Sequence, residues 1–413
     1  MSFSCFRQPA PVGRTFAATA AASLFALTAL ATATQAAEVK IGVVGGISGP
    51  IAALAPPMID ASKMAVAHVN AQGGILSGDT LVAVIGDAAC SPQGGTDAAT
   101  KAVNVEGVVA LVGPYCSGAT LAAANSVAIP AGVVLVSPSA TSPELTKLDD
   151  KDLVFRTAPS DSYQGQALAR KLLADGTDTA AVAYLNNDYG KGFAEAFKAE
   201  FEAKGGKIAG YAAHEGDKAS YRSELAELAG QGADTLVLID YGDGAGMTIL
   251  RQALENGFFS KFVGGDGMKT DALIAALGAD NLKSFTTSAP VGAESAGLDA
   301  FNKLYAEAGG DQTAVYATTS YDATFLLALA IEKAGSADRA KISQALRDVA
   351  SAPGEVILPG EWAKAKKLIA EGKDINYQGA AGDMEFDAKG DVPGVYALFG
   401  VDGGSLKMVS AIE

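Results

Sequence analysis

Apolar runs of five to seven residues alternate with segments of helical periodicity along most of this 413-residue chain, and that alternation leaves few folds open. The runs at 39–45, 80–85, 108–112, 132–136, 179–185, 207–212, 234–239 and 284–288 read as strands. Between them, 57–72, 95–105, 118–128, 161–174, 189–204, 221–230, 244–256 and 294–308 read as helices. Strands that are apolar on both faces and separated by amphipathic helices form parallel sheets covered on both sides. Two such α/β sets are expected, one on each side of about residue 158, and the length also suits two domains. Helices at 316–334 and 340–350 and two antiparallel strands at 383–387 and 394–401 are expected to complete the chain.

In open parallel sheets, ligands bind beyond the carboxyl ends of the strands, so the loops there carry the functional reading. The first set ends in Gly45–Pro50, Gly113–Thr120 and Ser137–Thr141, which are rich in small residues and hydroxyls. The second ends in Asn186–Gly190, Asp240–Gly244 and Gly264–Gly267, which offer aromatics and carboxylates. Two such edges facing each other would present one wall to an anion and one to a cation, and a zwitterion fits between them. The stretch GPYCSGAT (113–120) joins a strand to a helix, where unpaired N–H groups and the positive end of the dipole suit an anion. Cys116 in that stretch is readable as a nucleophile of lowered pKa or as half of a disulfide.

The N-terminus resembles an export signal. Arg7 and Arg14 precede an Ala/Leu-rich run from Phe16 to Ala33, and small residues follow at Thr34-Gln35-Ala36-Ala37, so cleavage is expected after Ala36 or Ala37. Cys5 lies before the apolar run and cannot be an acylated first residue. The exported chain would keep Cys90 and Cys116, and an even number in an oxidising compartment suggests one disulfide. Losing Arg7 and Arg14 takes the formal charge from −15 to −17. That balance argues against nucleic acid and anionic membrane surfaces as partners.

Catalytic readings find little support. The two histidines, His68 and His214, read as surface or packing groups, and no HExxH or CxxC occurs. Gly242-Asp243-Gly244-Ala245-Gly246 is reminiscent of a dinucleotide loop, but Met247 stands at the third glycine's position and Asp243 would repel a pyrophosphate. No cofactor or metal is expected. Asp240 and Asp243 read as solvated loop carboxylates, with a second ligand amine as the alternative partner.

Several stretches together resemble the extracytoplasmic solute-binding proteins of branched-chain amino acid (leucine/isoleucine/valine-type) ABC transporters. They are VGGISGP (44–50), NAQGGI (70–75), DAACSP (87–92), GPYCSGAT (113–120), SPSATSPEL (137–145), FRTAPSDSYQG (155–165), DYGKG (188–192), LRQA (250–253), GGDG (264–267) and FDAKGD (386–391). The resemblance runs from about Val39 to Ile412. It implies a type I periplasmic-binding-protein fold, with two Rossmann-like lobes joined by three hinge crossings near 159, 289 and 396. The lobes would be 38–159 with 289–395 and 160–288 with 396–413, after a signal segment 1–37. It also implies a Cys90–Cys116 disulfide.

The resemblance implies a ligand set as well. Ser117 and Thr141 resemble the hydroxyls that hold an α-carboxylate. The carbonyl of Ser139 and the Thr141 hydroxyl resemble acceptors for an α-ammonium. Tyr189 resembles the aromatic of the second lobe, and Asp266 stands where relatives have the glutamate that neutralises the ammonium. Tyr115, Ala140 and Tyr241, from the same loops, complete the expected set. Gly264, Gly265 and Gly267 are expected to let the backbone bend so that Asp266 enters the cleft. An N-cap and turn hydroxyls remain the plain readings of Ser117 and Thr141.

The pattern departs from the leucine type in four places: Tyr115 replaces an aliphatic residue, Leu54 replaces a tyrosine, Asp266 is one methylene shorter than the glutamate, and 353–376 resembles an insertion holding the only tryptophan, Trp362. The function implied is periplasmic capture of an amino acid or similar zwitterion, by a monomer, for delivery to a membrane permease. Alternatives are a ligand-sensing subunit signalling to a membrane receptor, or a binding protein for an amide or aromatic acid.

Overall fold

The computed structural model describes residues 36–412, so the expected export signal lies, but for its last two residues, outside the described part. Strands β1 (Glu38–Gly45), β2 (Thr80–Asp87), β3 (Ala110–Val112), β4 (Val134–Ser137) and β5 (Val154–Arg156) form an all-parallel sheet in the order β2-β1-β3-β4-β5. β6 (Thr179–Leu185), β7 (Lys207–His214), β8 (Thr235–Ile239), β9 (Lys261–Gly264) and β10 (Phe285–Val291) form a second parallel set. Two short strands, β11 (Glu355–Ile357) and β12 (Ile375–Tyr377), pair with each other. β13 (Val395–Asp402) and β14 (Ser405–Ile412) then extend the second sheet with antiparallel pairing, in the order β14-β13-β10-β9-β8-β6-β7.

The chain thus builds the first sheet, passes to the second after β5, leaves it after β10 and returns at β13. Helices between the strands cover the sheet faces. The helix Ala317–Ala334 packs against Ala55–Ala71 and Arg339–Ala350; every residue from Phe325 to Ile331 is buried. That all-round apolar character is what a helix at the centre of a lobe requires. No helix among the described residues is long and apolar enough to cross a membrane.

The periodicity reading needs correction at several places, and β9, β11 and β12 stand outside the strand ranges expected. Residues 383–387 are loop, and the antiparallel partner of β13 is β14. The helix expected over 95–105 runs from Pro92 to Thr100 and widens into a π-helical turn at Lys101–Val105. The one over 118–128 ends in a similar turn, Ala124–Ala128. β5 went unread because three residues ending in an arginine carry almost no alternation.

The segment 353–376 folds as β11, the helix Trp362–Ala370 and β12. Trp362 is fully buried, its Nε1 donates to the Gly74 carbonyl at 3.0 Å, and its ring meets Phe325 edge-on at 5.9 Å. Gln72 Nε2 donates to the Gly360 carbonyl at 2.7 Å, and Lys366 Nζ to that of Gly74 at 2.8 Å. The segment is thus held to Gln72 and Gly74, between the helix Ala55–Ala71 and β2, and to Phe325.

Candidate functional site

Beyond β3 the chain turns through Gly113-Pro114-Tyr115-Cys116 into the helix Ser117–Ala123. Cys116 is bonded to Cys90, with 5.3 Å between the Cα atoms, so the loop after β2 is stapled to the start of that helix. This settles the two readings of Cys116. Free-thiol titration of the denatured, unreduced protein without residues 1–37 should therefore find no thiol. Replacing both cysteines by serine should lower unfolding free energy by about 3.5 kcal/mol for a closed loop of this length, measured by denaturant titration.

Ser117 Oγ accepts the Ser142 N–H at 3.1 Å, and Ser139 Oγ donates to the Tyr115 carbonyl at 2.9 Å. The loops after β3 and β4 are thereby tied together. Thr141 is buried, and its hydroxyl has no hydrogen-bond partner. Behind this loop lies Arg156, 2% exposed, at the end of β5. Its Nη1 donates to the carbonyls of Thr141 (3.0 Å) and Ser142 (2.9 Å). Its Nε and Nη2 hold Asp391 at 2.6 and 2.9 Å, and Nη2 also reaches Thr146 Oγ1 at 2.6 Å.

The second wall comes from loops after β6, β8 and β9. Asn187 caps the helix Asp188–Ala203 by accepting the Gly190 N–H, which puts Tyr189 in the first turn. Tyr189 OH donates to Asp266 Oδ1 at 3.0 Å and accepts the Gly267 N–H at 3.2 Å. Tyr241 stacks on Tyr189 with centroids 5.1 Å apart. Tyr316 reaches Asp266 from the opposite side: its backbone is left-handed (φ +64°), and its hydroxyl donates to Asp266 Oδ2 at 2.7 Å. Burial raises the Asp266 carboxyl above its ordinary range, against the pull of the two tyrosine hydroxyls.

The glycines beside Asp266 work differently from the expectation. None of the three adopts a positive φ. They provide room: a Cβ on Gly265 would lie 2.7 Å from the Tyr189 hydroxyl oxygen, and one on Gly267 would lie 2.6 Å from the Asp240 carbonyl oxygen.

Tyr115, Ser117, Ser139, Tyr189, Tyr241 and Asp266, six of the eight expected ligand residues, line one cavity. Ile51, Leu54, Met58, Cys116 and Tyr316 complete most of its wall. Ala140 and Thr141 are buried beside it rather than in its lining. Around it, Ala53 N–H donates to Asp243 Oδ2 at 2.7 Å and Lys269 Nζ to the Thr313 carbonyl at 2.5 Å, each joining the first-sheet body to the second.

Three acidic residues stand differently from the sequence reading. Asp243 makes the contact just described. Asp240 is fully buried rather than solvated; Oδ1 accepts the Tyr241 N–H and Oδ2 lies 3.4 Å from His214 Nε2. Burial pushes Asp240 up to about 7 and His214 down to about 4, so His214 is a neutral packing group. Asp161 went unsingled as a site residue. It opens the helix Asp161–Ala174, is fully buried, and neither carboxylate oxygen has a hydrogen-bond partner. Burial, and after it the charge of Asp266, pushes its carboxyl well above the ordinary range.

A profile described as the receptor family ligand binding region matches residues 59–404. The chain is 32% identical over 330 residues to the leucine-, isoleucine-, valine-, threonine- and alanine-binding protein of Pseudomonas aeruginosa, covering 78% of this chain and 86% of that one. Among solved structures it resembles the branched-chain amino acid transporter substrate-binding protein of Streptococcus pneumoniae in complex with isoleucine. There the TM-score is 0.75 and the identity 25%, over 91% of this chain and 98% of that one. The leucine-binding protein of Thermotoga maritima superposes with a TM-score of 0.78 at 24% identity, over 91% and 99% of the two chains.

Proposed function

Because this chain belongs to the receptor-family ligand-binding regions, and within them to the leucine/isoleucine/valine-type binding proteins, we propose that it captures an amino acid between two lobes and hands it to an ABC transporter permease. One observation carries the reading: hydroxyl-bearing loops of one sheet and Asp266 with Tyr189 and Tyr241 on the other meet around one cavity. A zwitterion buried there must have both charges paired or hydrogen-bonded. Ser117 and Thr141 are the groups for the carboxylate, Asp266 with the Ser139 carbonyl those for the ammonium, and Ile51, Leu54 and Met58 those for an apolar side chain.

In this reading the lobes, 38–159 with 289–395 and 160–288 with 396–413, close over the ligand about crossings near 159, 289 and 396. The protein acts in the periplasm after loss of residues 1–37, as a monomer and without catalysis. Departures at Tyr115 and Leu54 bear on which amino acid is preferred.

The test is a thermal-shift screen of the protein without its leader against the proteinogenic amino acids, amides and aromatic acids. A ligand at about 100 times its dissociation constant adds about 2.7 kcal/mol, a resolvable rise in Tm. Leucine, isoleucine, valine, threonine or alanine should give it. A rise only with amides or aromatic acids would reassign the ligand.

A further inference from the structure

We propose that closure of the cleft is conditional on a positive charge beside Asp161 and Asp266, and that a proton substitutes for the ligand's ammonium when the site is empty. Asp161 is the residue that sets the condition. It is fully buried, and both of its carboxylate oxygens lack partners. A buried ionised carboxylate with no donor is unfavourable until it gains a proton or a cation.

The groups facing it relieve it only in part: the Thr141 hydroxyl and the charge of Arg156 pull its carboxyl down, and burial together with the charge of Asp266 outweighs them. Arg156 is the nearby cation, but its five N–H donors are engaged by Asp391, Thr146 and the carbonyls of Thr141 and Ser142. The N–H groups of the first helical turn are also engaged: Asp161 N–H on the Thr141 carbonyl, Ser162 N–H on Ser160 Oγ, and those of Tyr163 and Gln164 on the Ser160 carbonyl. The hydroxyls of Tyr189 and Tyr316 are spent on Asp266, and that of Tyr396 on the Ser160 carbonyl. Tyr241 bears on both carboxyls only as a further acid, and burial raises it. The Thr141 hydroxyl makes no hydrogen bond of normal geometry, and its pull on the Asp161 carboxyl is weaker than burial and the charge of Asp266. Asp266 adds like charge, and unlike Asp161 it has a hydroxyl on each oxygen.

The proton of the closed, empty pair therefore resides on Asp161. With the lobes apart, water solvates both carboxylates and their pKa values return toward the ordinary range. Closing raises the pKa of Asp161, so by linkage protonation favours the closed form, and its share grows as pH falls. An ammonium held by Asp266, whose charge bears on Asp161, does the same work without a proton, which makes Asp161 a selectivity residue against deaminated carboxylates.

Solution scattering of the ligand-free protein tests the closure without reference to any ligand. The radius of gyration should be smaller at about pH 5 than at about pH 7.5, and Asp161→Asn should be compact at both. A parent and variant of equal, pH-independent size would overturn the proposal. Should acid expand the chain, the comparison at pH 7.5 alone decides: a variant no more compact than the parent overturns it.

Calorimetry with L-leucine and 4-methylpentanoate tests selectivity, and this arm rests on the amino-acid reading above. Asp161→Asn should shift the ratio of the two affinities by about tenfold or more toward the deaminated acid. An unchanged ratio would count against the proposal. If the parent binds no amino acid at all, the amino-acid reading fails while the scattering result still stands or falls alone.

Discussion

Asp266→Asn should weaken binding of an amino-acid ligand by roughly 2–5 kcal/mol, about thirtyfold to several thousandfold in Kd, because it leaves a buried ammonium short of a counter-ion. The site magnifies the change. Tyr189 and Tyr316 each donate to one oxygen of Asp266. An asparagine offers one acceptor and a donor, so one tyrosine hydroxyl would face an N–H. Ser117→Ala should cost less, about 1–3 kcal/mol, since it removes one hydroxyl among several polar partners of the carboxylate. Calorimetric titration of both variants with the ligand that the screen identifies provides the comparison. Binding by Asp266→Asn within threefold of the parent would show that the ligand places no ammonium there.

The largest effect on stability is expected at Arg156. Arg156→Met should destabilise the fold by roughly 3–5 kcal/mol, since removing one partner of a buried ion pair strands the other. Asp391 is 6% exposed, and without the guanidinium it keeps only Thr146 and its own backbone surroundings. The carbonyls of Thr141 and Ser142 each lose one of two donors as well, keeping the N–H groups of Asp161 and Leu145. Equilibrium unfolding in urea measures the loss. The variant should also bind ligand more weakly, because the loop that carries Thr141 is no longer held from behind. A change of under 1 kcal/mol would mean that the pair is open to water.

Much of the cavity was legible because it is built from strand-end loops. Tyr115, Ser117 and Ser139 follow apolar runs that read clearly as strands, as do Tyr189 and Tyr241, and parallel sheets bring such loops to one edge. Asp266 was placed by its glycine-rich loop and by family likeness. Asp161 and Tyr316 were not legible as site residues. Each sits at the start of a helix, where an acid or an aromatic is unremarkable in sequence, and only burial without a partner, or a left-handed turn, sets them apart. Arg156 and Asp391 stand 235 positions apart, a pairing that no local pattern reports. The same limit hid β14, whose half-exposed SLKMVSAI reads as a strand only beside β13.

The burial of Trp362 has an optical consequence. The chain's only indole is locked against Phe325 and the Gly74 carbonyl, within an insertion whose contacts named above are to Gln72, Gly74 and Phe325. In the proposed lobe division it travels with the first lobe as a fixed body, so its emission is a poor witness to events at the cavity and a sound internal reference for lobe integrity. The cavity is ringed instead by Tyr115, Tyr189, Tyr241 and Tyr316. Absorbance and fluorescence changes on occupancy therefore belong to phenols, and excitation beyond the tyrosine band separates a loosened first lobe from an occupied site in a single sample.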